Sequence, residues 1–315
     1  MEKQTFKYLF GPVPSRRLGI SLGVDLVPHK VCSLNCIYCE CGATTHLTIR
    51  RDEYVPTDDV INEIDVYLSQ RPVLDYITFS GSGEPTLHSR LGEIASHLKT
   101  SFPDYKVALL TNGTLFTQSS LVLEVQPIDL IIPSLDAVSE DIFKKINRPA
   151  RFLKSADIIQ GLINLRRGYR GQIWLEIFIV PGINDTDAEI DKFNEAIECI
   201  DPNKIQLNSL DRPGTESWVR SVTQDWMETI ATKFNRDIEI VSRFQARDTI
   251  DSYNVDIQES IIKLLKRRPC TVQDLSSVTG LHENEVNKYI EVLLNRGKLE
   301  TERLDRGLFF KIANE

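Results

Sequence analysis

The sequence predicts an α/β protein built on a parallel sheet, with a small helical domain at its C-terminal end. Two patterns carry the first expectation and one carries the second. Between about residues 20 and 245, short apolar runs rich in Ile, Val and Leu alternate with amphipathic segments of helical period. Polar tips containing Gly, Pro and Asx follow the C-terminal ends of those runs. Beyond about residue 255 the alternation stops, and three helical segments precede a hairpin pattern.

In chain order, the expected strands are GVDLVP (23–28), YITFS (76–80), KVALLT (106–111), DLIIPS (129–134), IWLEIFIV (173–180), KIQLN (204–208) and IEIVS (238–242). Each is a near-continuous apolar run, as a strand covered on both faces requires. The segments between them, 57–70, 89–100, 138–146, 153–167, 186–199 and 222–235, have the apolar spacing of helices. Repeated strand–helix units imply a parallel sheet, either doubly wound or a closed or partial barrel. The tips read GSGEP, NGT, LDA, PGIND and SLDRPG. Turns need such residues whatever the function, but five polar tips on one edge mark the end where parallel α/β folds bind ligands. The polar stretch ARDTIDSYNVD reads as a linker, so the expected boundaries are 1–245, a linker at 246–255, and 256–315. In the last part, helices at 257–267, 271–278 and 282–295, with a turn at Gly280, lead to KLETERL pairing with GLFFKI around Asp305-Arg306-Gly307. This arrangement resembles a winged helix-turn-helix domain.

Composition narrows the classes. The 315 residues are 41% apolar and 26% charged, which suits one large domain and one small one. No repeat of fixed period and no low-complexity tract occurs. The start, MEKQTFKYLF, has no apolar run of signal-peptide length, and the most apolar stretch, IWLEIFIV, is short and interrupted by Glu176. A cytoplasmic protein without a membrane span is therefore expected. A net charge of −8 weighs against a polyanion as the main partner, although a local basic groove is compatible with it.

Four of the six cysteines fall in CSLNCIYCECG, residues 32–42. Cytosolic thiols stay reduced, so such clustering points to metal or catalysis rather than to disulfides. Cys32, Cys36 and Cys39 are spaced C-x3-C-x2-C on a loop just after the first expected strand. Three thiolates hold three irons of a cubic [4Fe–4S] cluster and leave the fourth open to a small molecule, which suggests chemistry rather than electron carriage. A structural zinc wants four ligands, often as two C-x2-C pairs. Cys41 would be an awkwardly spaced fourth, and no second pair follows. Cys41 is either a small buried thiol or a cavity-facing group that donates or accepts a hydrogen atom. Glu176 lies inside an apolar run, and a buried carboxylate is costly unless paired. It is expected to face the barrel interior and contact ligand or substrate.

The C-x3-C-x2-C spacing with Tyr38 before the last cysteine resembles the signature of the radical SAM superfamily. The resemblance implies a partial (β/α)6 TIM-type barrel and one [4Fe–4S] cluster on Cys32, Cys36 and Cys39. It also implies S-adenosylmethionine (SAM) bound to that cluster through its amino and carboxylate groups. Reductive cleavage of SAM would yield methionine and a 5′-deoxyadenosyl radical that takes a hydrogen atom from the substrate. GSGEP, with Gly81, Gly83 and Glu84, resembles the family's GGE motif, whose backbone carbonyls accept the SAM ammonium; Ser82 stands where a second glycine is common. TNGT resembles a TNG near SAM, with Asn112 bonding the ligand or capping the next helix. In PSLDA, Ser134 and Asp136 would lie near the ribose or carboxylate, Asp136 equally serving as an N-cap, and Arg148 of FKKINRP would reach the same site. Asn208 would meet the adenine, and Tyr38 would also line the SAM site.

The opening FGPVPSRRLGISLGVDLVP, together with KVCSLNCIYCECGATT, resembles wyosine-synthase-like Fe–S oxidoreductases, in motif order over residues 8 to about 215. Arg16 and Arg17 would then hold an anionic substrate or the SAM carboxylate, or form a solvated basic pair. That subgroup's archaeal form uses a second cluster on additional cysteines. Here only Cys41, Cys199 and Cys270 remain, and no flavodoxin-like domain accompanies them. One cluster, with an external ferredoxin or flavodoxin as electron donor, is expected. The subgroup suggests an RNA base as substrate. The alternatives are a peptide or small metabolite, with the winged helix as a partner-binding module, and an Fe–S/SAM-dependent transcriptional sensor. Residues 254–315 carry ten acidic and ten basic groups, and HENEVNKYIEVLLN has three glutamates against one lysine. That composition argues against DNA reading by the winged helix.

Overall fold

The computed structural model describes residues 6–210, 214–241, 255–267, 269–279, 281–304 and 307–313. It begins with an antiparallel hairpin, β1 (Leu9–Ser15) and β2 (Gly19–Asp25). The two-residue strands β3 (Val31–Cys32) and β4 (His46–Leu47) pair in parallel and tie together the ends of the cysteine loop. Then come α1 (Thr57–Leu68), β5 (Tyr76–Ser80), a single 3-10 turn at Pro85–Leu87, α2 (Leu91–Ser101), β6 (Val107–Thr111) and α3 (Ser119–Glu124). Next are β7 (Leu130–Pro133), α4 (Glu140–Ile146), α5 (Ser155–Gly168), β8 (Gln172–Phe178), α6 (Asp187–Ile200), β9 (Lys204–Asn208), α7 (Gln224–Ala231) and β10 (Ile238–Ile240).

The main sheet has the order β1-β2-β5-β6-β7-β8-β9-β10, and every pair after β1·β2 is parallel. Among the described residues β10 does not pair with β1, so the sheet curls without closing. From β2 to α7 the chain runs through six strand–helix units, the partial-barrel version of the α/β class. Two separate cores explain why it is not doubly wound. Val24, Phe79, Leu109, Ile131, Leu175 and Leu207 pack on the helices in the large core. Their neighbours on the other face, Ala108, Leu130 and Ile132, form a small core with Leu18 from the β1–β2 turn. That turn fills the inside of the sheet where a second helix layer would otherwise lie.

Several boundaries differ from expectation. The first parallel strand covers 19–25 rather than 23–28, so Val27 and Pro28 belong to the loop that presents the cysteines. β1 and the short α3 were not expected at all. Residue 242 of the last expected strand, residues 211–213 of the SLDRPG tip, Gly280 and the 305–306 turn lie outside the described residues, as does the expected linker except for Val255.

At the C-terminal end, α8 (Val255–Arg267), α9 (Val272–Thr279) and α10 (Glu283–Asn295) precede the hairpin β11 (Leu299–Leu304) and β12 (Gly307–Ile312). Ile261, Leu265, Leu275, Val286, Ile290, Leu293 and Phe310 give these elements a core of their own. None of the described helices is long and apolar enough to cross a membrane.

Candidate active site

The cysteine loop is pinned from within. Leu34 and Ile37, the apolar residues between the cysteines, are buried in the protein. The Cys39 N–H donates to the Cys36 carbonyl at 3.2 Å and the Gly42 N–H to that of Cys39 at 3.1 Å. Two turns therefore fold the loop around Cys36 and Cys39. Each of the Cys32, Cys36 and Cys39 sulfurs faces an N–H donor. Asn112 Nδ2 lies 3.5 Å from Cys32 Sγ, Asn147 Nδ2 3.3 Å from Cys36 Sγ, and Lys30 Nζ 3.0 Å from Cys39 Sγ.

Burial pushes the Cys32 thiol up to about 12 and the Cys36 thiol well above its ordinary value. Cys39 moves the other way. A hydrogen bond from Cys41 and the charge of Lys30 outweigh its burial and hold it well below the ordinary thiol range. Lys30 is raised in turn, because the charge of Cys39 overcomes the burial that would lower it. Sulfur becomes a metal ligand only as thiolate, so a buried set of this kind would take a metal centre only by giving up its protons. Among the described residues no three His, Cys, Asp or Glu side chains converge on one ion's position. The three thiols fit a multi-iron cluster, whose potential is tuned by hydrogen bonds to sulfur. Of the other cysteines, Cys199 is exposed on α6 and Cys270 is buried in the C-terminal core, bridged to Phe310.

The GSGEP loop lies directly against the cysteine loop. The Glu84 N–H donates to the Val31 carbonyl at 3.0 Å and the Lys30 N–H to that of Ser82 at 3.1 Å. Gly83 allows this approach, because a Cβ there would stand 2.3 Å from the Val31 carbonyl oxygen. The side chain of Glu84 is not turned toward a ligand. It is 2% exposed and accepts from Thr86 N, Thr86 Oγ1, Thr111 Oγ1 and Asn112 N at 2.6–3.0 Å. Burial raises its carboxyl. Glu84 thus locks the loop after β5 to the loop after β6, which holds Asn112 over Cys32. Asn112 Nδ2 also donates to Ser33 Oγ, while its Oδ1 accepts from Thr114 N and Oγ1. It closes a turn and does not cap a helix.

The remaining expected residues fall into three groups. Asp136 is buried; it accepts from the Tyr38 hydroxyl and from Asn147 Nδ2 at 2.8 Å on one oxygen, and from the Phe178 N–H at 3.0 Å on the other. Burial raises both the Asp136 carboxyl and the Tyr38 hydroxyl. The Tyr38 ring stacks on Phe178 with centroids 3.8 Å apart. Asp136 therefore works through Asn147 on Cys36 and caps no helix; Ser139 stands at the N-cap of α4. Glu176 lies beside Ser134 and Asn208 inside the sheet and is ion-paired with Arg17. Arg17 is thus neither a solvated residue nor a free anion binder. Arg148 stands apart from this group, paired with Glu216 at 2.6 Å.

Cys41 is half-buried and lines a cavity of about 1080 Å³ together with Glu40 and Gly42. The opposite wall is Asn284, Asn287 and Phe309 of the C-terminal elements. Sequence reasoning missed Lys30 and Asn147, which both touch sulfur. Lys30 sits two residues before Cys32, a visible signal, whereas Asn147 is 111 positions from Cys36.

The fold and the cysteine site define an enzyme that uses an iron–sulfur cluster. The family model of the Radical SAM superfamily matches residues 26–193, and the chain belongs to that superfamily. It is an enzyme whose cofactors are a [4Fe–4S] cluster and SAM. It is 31% identical over 311 residues to a UPF0026 protein of Methanocaldococcus jannaschii, covering 96% of this chain and 94% of that one. It is 34% identical over 308 residues to a protein named GTPase Obg from Brachyspira hyodysenteriae; the match takes 97% of this chain but only 45% of that longer protein. Among solved structures, TYW1 with a lysine–pyruvate adduct bound superposes with a TM-score of 0.51 at 19% identity, over 67% of this chain and 72% of that one. At that identity the likeness is one of fold.

Proposed function

We propose that Cys32, Cys36 and Cys39 hold the [4Fe–4S] cluster, and that this enzyme abstracts hydrogen from a substrate entering between the cysteine loop and the C-terminal elements. The observation that carries the reading is the N–H donor aimed at each of those three sulfurs. When bound, the cluster supplies the electron that cleaves SAM to methionine and a 5′-deoxyadenosyl radical. The chain's own residues hold and screen that site. Gly81 and Gly83 let the GSGEP backbone close on Asp25 and on the Val31 carbonyl beside the ligand, and Glu84 fixes the distance between the two loops that flank it. Ser134 and Asn208 offer the side-chain bonds, Asn112 holds its turn beside Cys32, and Tyr38 and Asp136 brace the cysteine loop. Arg17 compensates Glu176 so that a charged carboxylate can stand inside the sheet. An external ferredoxin or flavodoxin supplies electrons.

Residues 1–245 form the catalytic domain and 256–315 a winged-helix domain in this reading. The charged residues on the wall of the large cavity, Glu40 and Glu283 against Arg303, give no cationic surface for a phosphodiester chain. That balance favours a peptide or small polar metabolite over the RNA base that the wyosine-like resemblance suggests. A DNA-binding sensor is disfavoured because the N-terminal turn of α10, the part that would meet base edges, packs on β1 and β2 through His282. The test is 5′-deoxyadenosine formation by the anaerobically reconstituted chain with SAM and dithionite, with and without host RNA and host peptide extract. Stimulation by the peptide or metabolite fraction is expected. Stimulation by RNA alone would restore the RNA reading.

A further inference from the structure

One basic stretch stands against the cysteine loop, away from the large cavity. KKINRPARFLK, residues 144–154, carries Lys144, Lys145, Arg148, Arg151 and Lys154 and no acidic residue, in a chain of net charge −8. None of these residues lines the cavity beside Cys41. The stretch is fastened to the cysteine loop through backbone. The Ile37 N–H donates to the Ile146 carbonyl, the Asn35 N–H to that of Asn147 and the Ala150 N–H to that of Ser33, each at 2.9 Å. Asn147 Nδ2 adds its contact of 3.3 Å with Cys36 Sγ. A second segment reaches the same loop: the Glu216 N–H donates to the Ile37 carbonyl at 2.9 Å, and Glu216 pairs with Arg148.

Toward solvent, the two segments present Phe152, 78% exposed, and Trp218, 50% exposed. Phe152 is held at φ +76, left-handed backbone that a bulky residue adopts only at a cost. The Arg151 guanidinium sits over its ring, 4.8 Å from the centroid. Lys144 and Arg148 are compensated by Glu140 at 3.2 Å and Glu216 at 2.6 Å. Lys145, Arg151, Lys154 and Arg220 are exposed and have no such partner among the described residues. Glu140, Asp141 and Asp157, in the first turns of α4 and α5, and Glu216 are the carboxylates of these segments, so cations outnumber them. Exposed aromatic rings ringed by uncompensated cations mark a surface suited to an acidic protein.

A substrate has to enter the cavity, whereas an electron needs only a short path of covalent and hydrogen bonds. The segment 146–150 offers that path, because its backbone and the Asn147 amide touch the loop on both sides of Cys36. We propose that Lys145, Arg151, Phe152, Lys154, Trp218 and Arg220 form the docking surface for a small acidic electron-carrier protein, which passes its electron to the cluster on the Cys36 side. One electron leaves the reduced carrier and enters the oxidised cluster; no atom is transferred. The inference rests on the reading that Cys32, Cys36 and Cys39 hold the cluster, and it places the external donor of that reading on the molecule.

The experiment uses the cluster-loaded full chain under anaerobic conditions, with iron and sulfide content as the check on each variant. The reductants are dithionite and two acidic carriers, a flavodoxin and a ferredoxin, each reduced beforehand. Bleaching of the cluster absorbance reads electron transfer, and calorimetric titration with the oxidised carrier reads binding. In Lys145→Glu with Arg151→Glu, reduction by the better carrier should slow about tenfold at low ionic strength, with weaker binding, and the gap should close as salt rises. Reduction by dithionite should stay at the wild-type rate. Phe152→Ala should weaken carrier binding about fivefold and leave its salt dependence unchanged. A matched control, Arg167→Glu with Arg170→Glu past the other end of α5, about 20 Å away, should behave as wild type. Reduction of the wild type by neither carrier, equal carrier-driven rates in Lys145→Glu with Arg151→Glu, or loss of host RNA binding there with carrier-driven reduction intact, would overturn the inference alone. Full iron content in Cys36→Ala would overturn the reading beneath it.

Discussion

Asn147 shows what one residue does at this site. Its amide nitrogen stands 3.3 Å from Cys36 Sγ and 2.8 Å from Asp136 Oδ2. A donor on a cluster sulfur favours the more negative, reduced state. Asn147→Ala should therefore lower the reduction potential of the bound cluster, read by an EPR-monitored redox titration; an unchanged potential would show that the contact is only packing. Arg17 and Glu176 make the second case. Arg17→Met leaves a carboxylate inside the sheet without its counter-charge and should destabilise the chain by about 3–5 kcal/mol in anaerobic urea unfolding. Adding Glu176→Gln should recover most of that loss. The grouping of Cys32, Cys36 and Cys39 was visible in their spacing. Asn147 was not, because nothing local ties residue 147 to residue 36 before the chain folds. Glu84 shows the limit in the other direction: the motif was visible, but only the fold reveals that its carboxylate is consumed by four internal donors.

At the scale of elements, the buried parallel strands were readable because both faces are covered and each run is apolar throughout. β1 was not, since Gly11, Pro12 and Pro14 interrupt its pattern. A strand at the sheet's edge needs hydrogen-bond donors on one side only, and there proline is tolerated. The first parallel strand was placed four residues late for a related reason: GISLG alternates Gly and Ser with apolar residues, where the face toward Phe10 leaves no room for a side chain at Gly23. The contact between β3 and the GSGEP loop gives a test at this scale. Gly83→Ala puts a methyl against the Val31 carbonyl, backbone that cannot rotate away. Cluster content should stay at the wild-type level while SAM binding, read by equilibrium dialysis, falls at least about tenfold. Wild-type affinity in that variant would mean that the two loops need not touch.

Across the whole molecule, the parts arrange themselves around one volume. The open sheet presents its loops on one edge, the β1–β2 turn fills its interior from below, and the C-terminal elements supply the far wall of the cavity beside Cys41. The class of fold and the chemistry were both legible from the cysteines and the strand–helix alternation. The wall was not, because it depends on how α10 sits on β1 and β2. The most direct measurement is 5′-deoxyadenosine formation, with SAM and dithionite under anaerobic conditions, by the reconstituted wild type, Cys36→Ala and Cys41→Ala. The account predicts product from the wild type and cleavage of SAM retained in Cys41→Ala, with none above background in Cys36→Ala. Equal product from Cys36→Ala, or loss in Cys41→Ala to the level of Cys36→Ala, would contradict the assignment of Cys32, Cys36 and Cys39 as the cluster ligands.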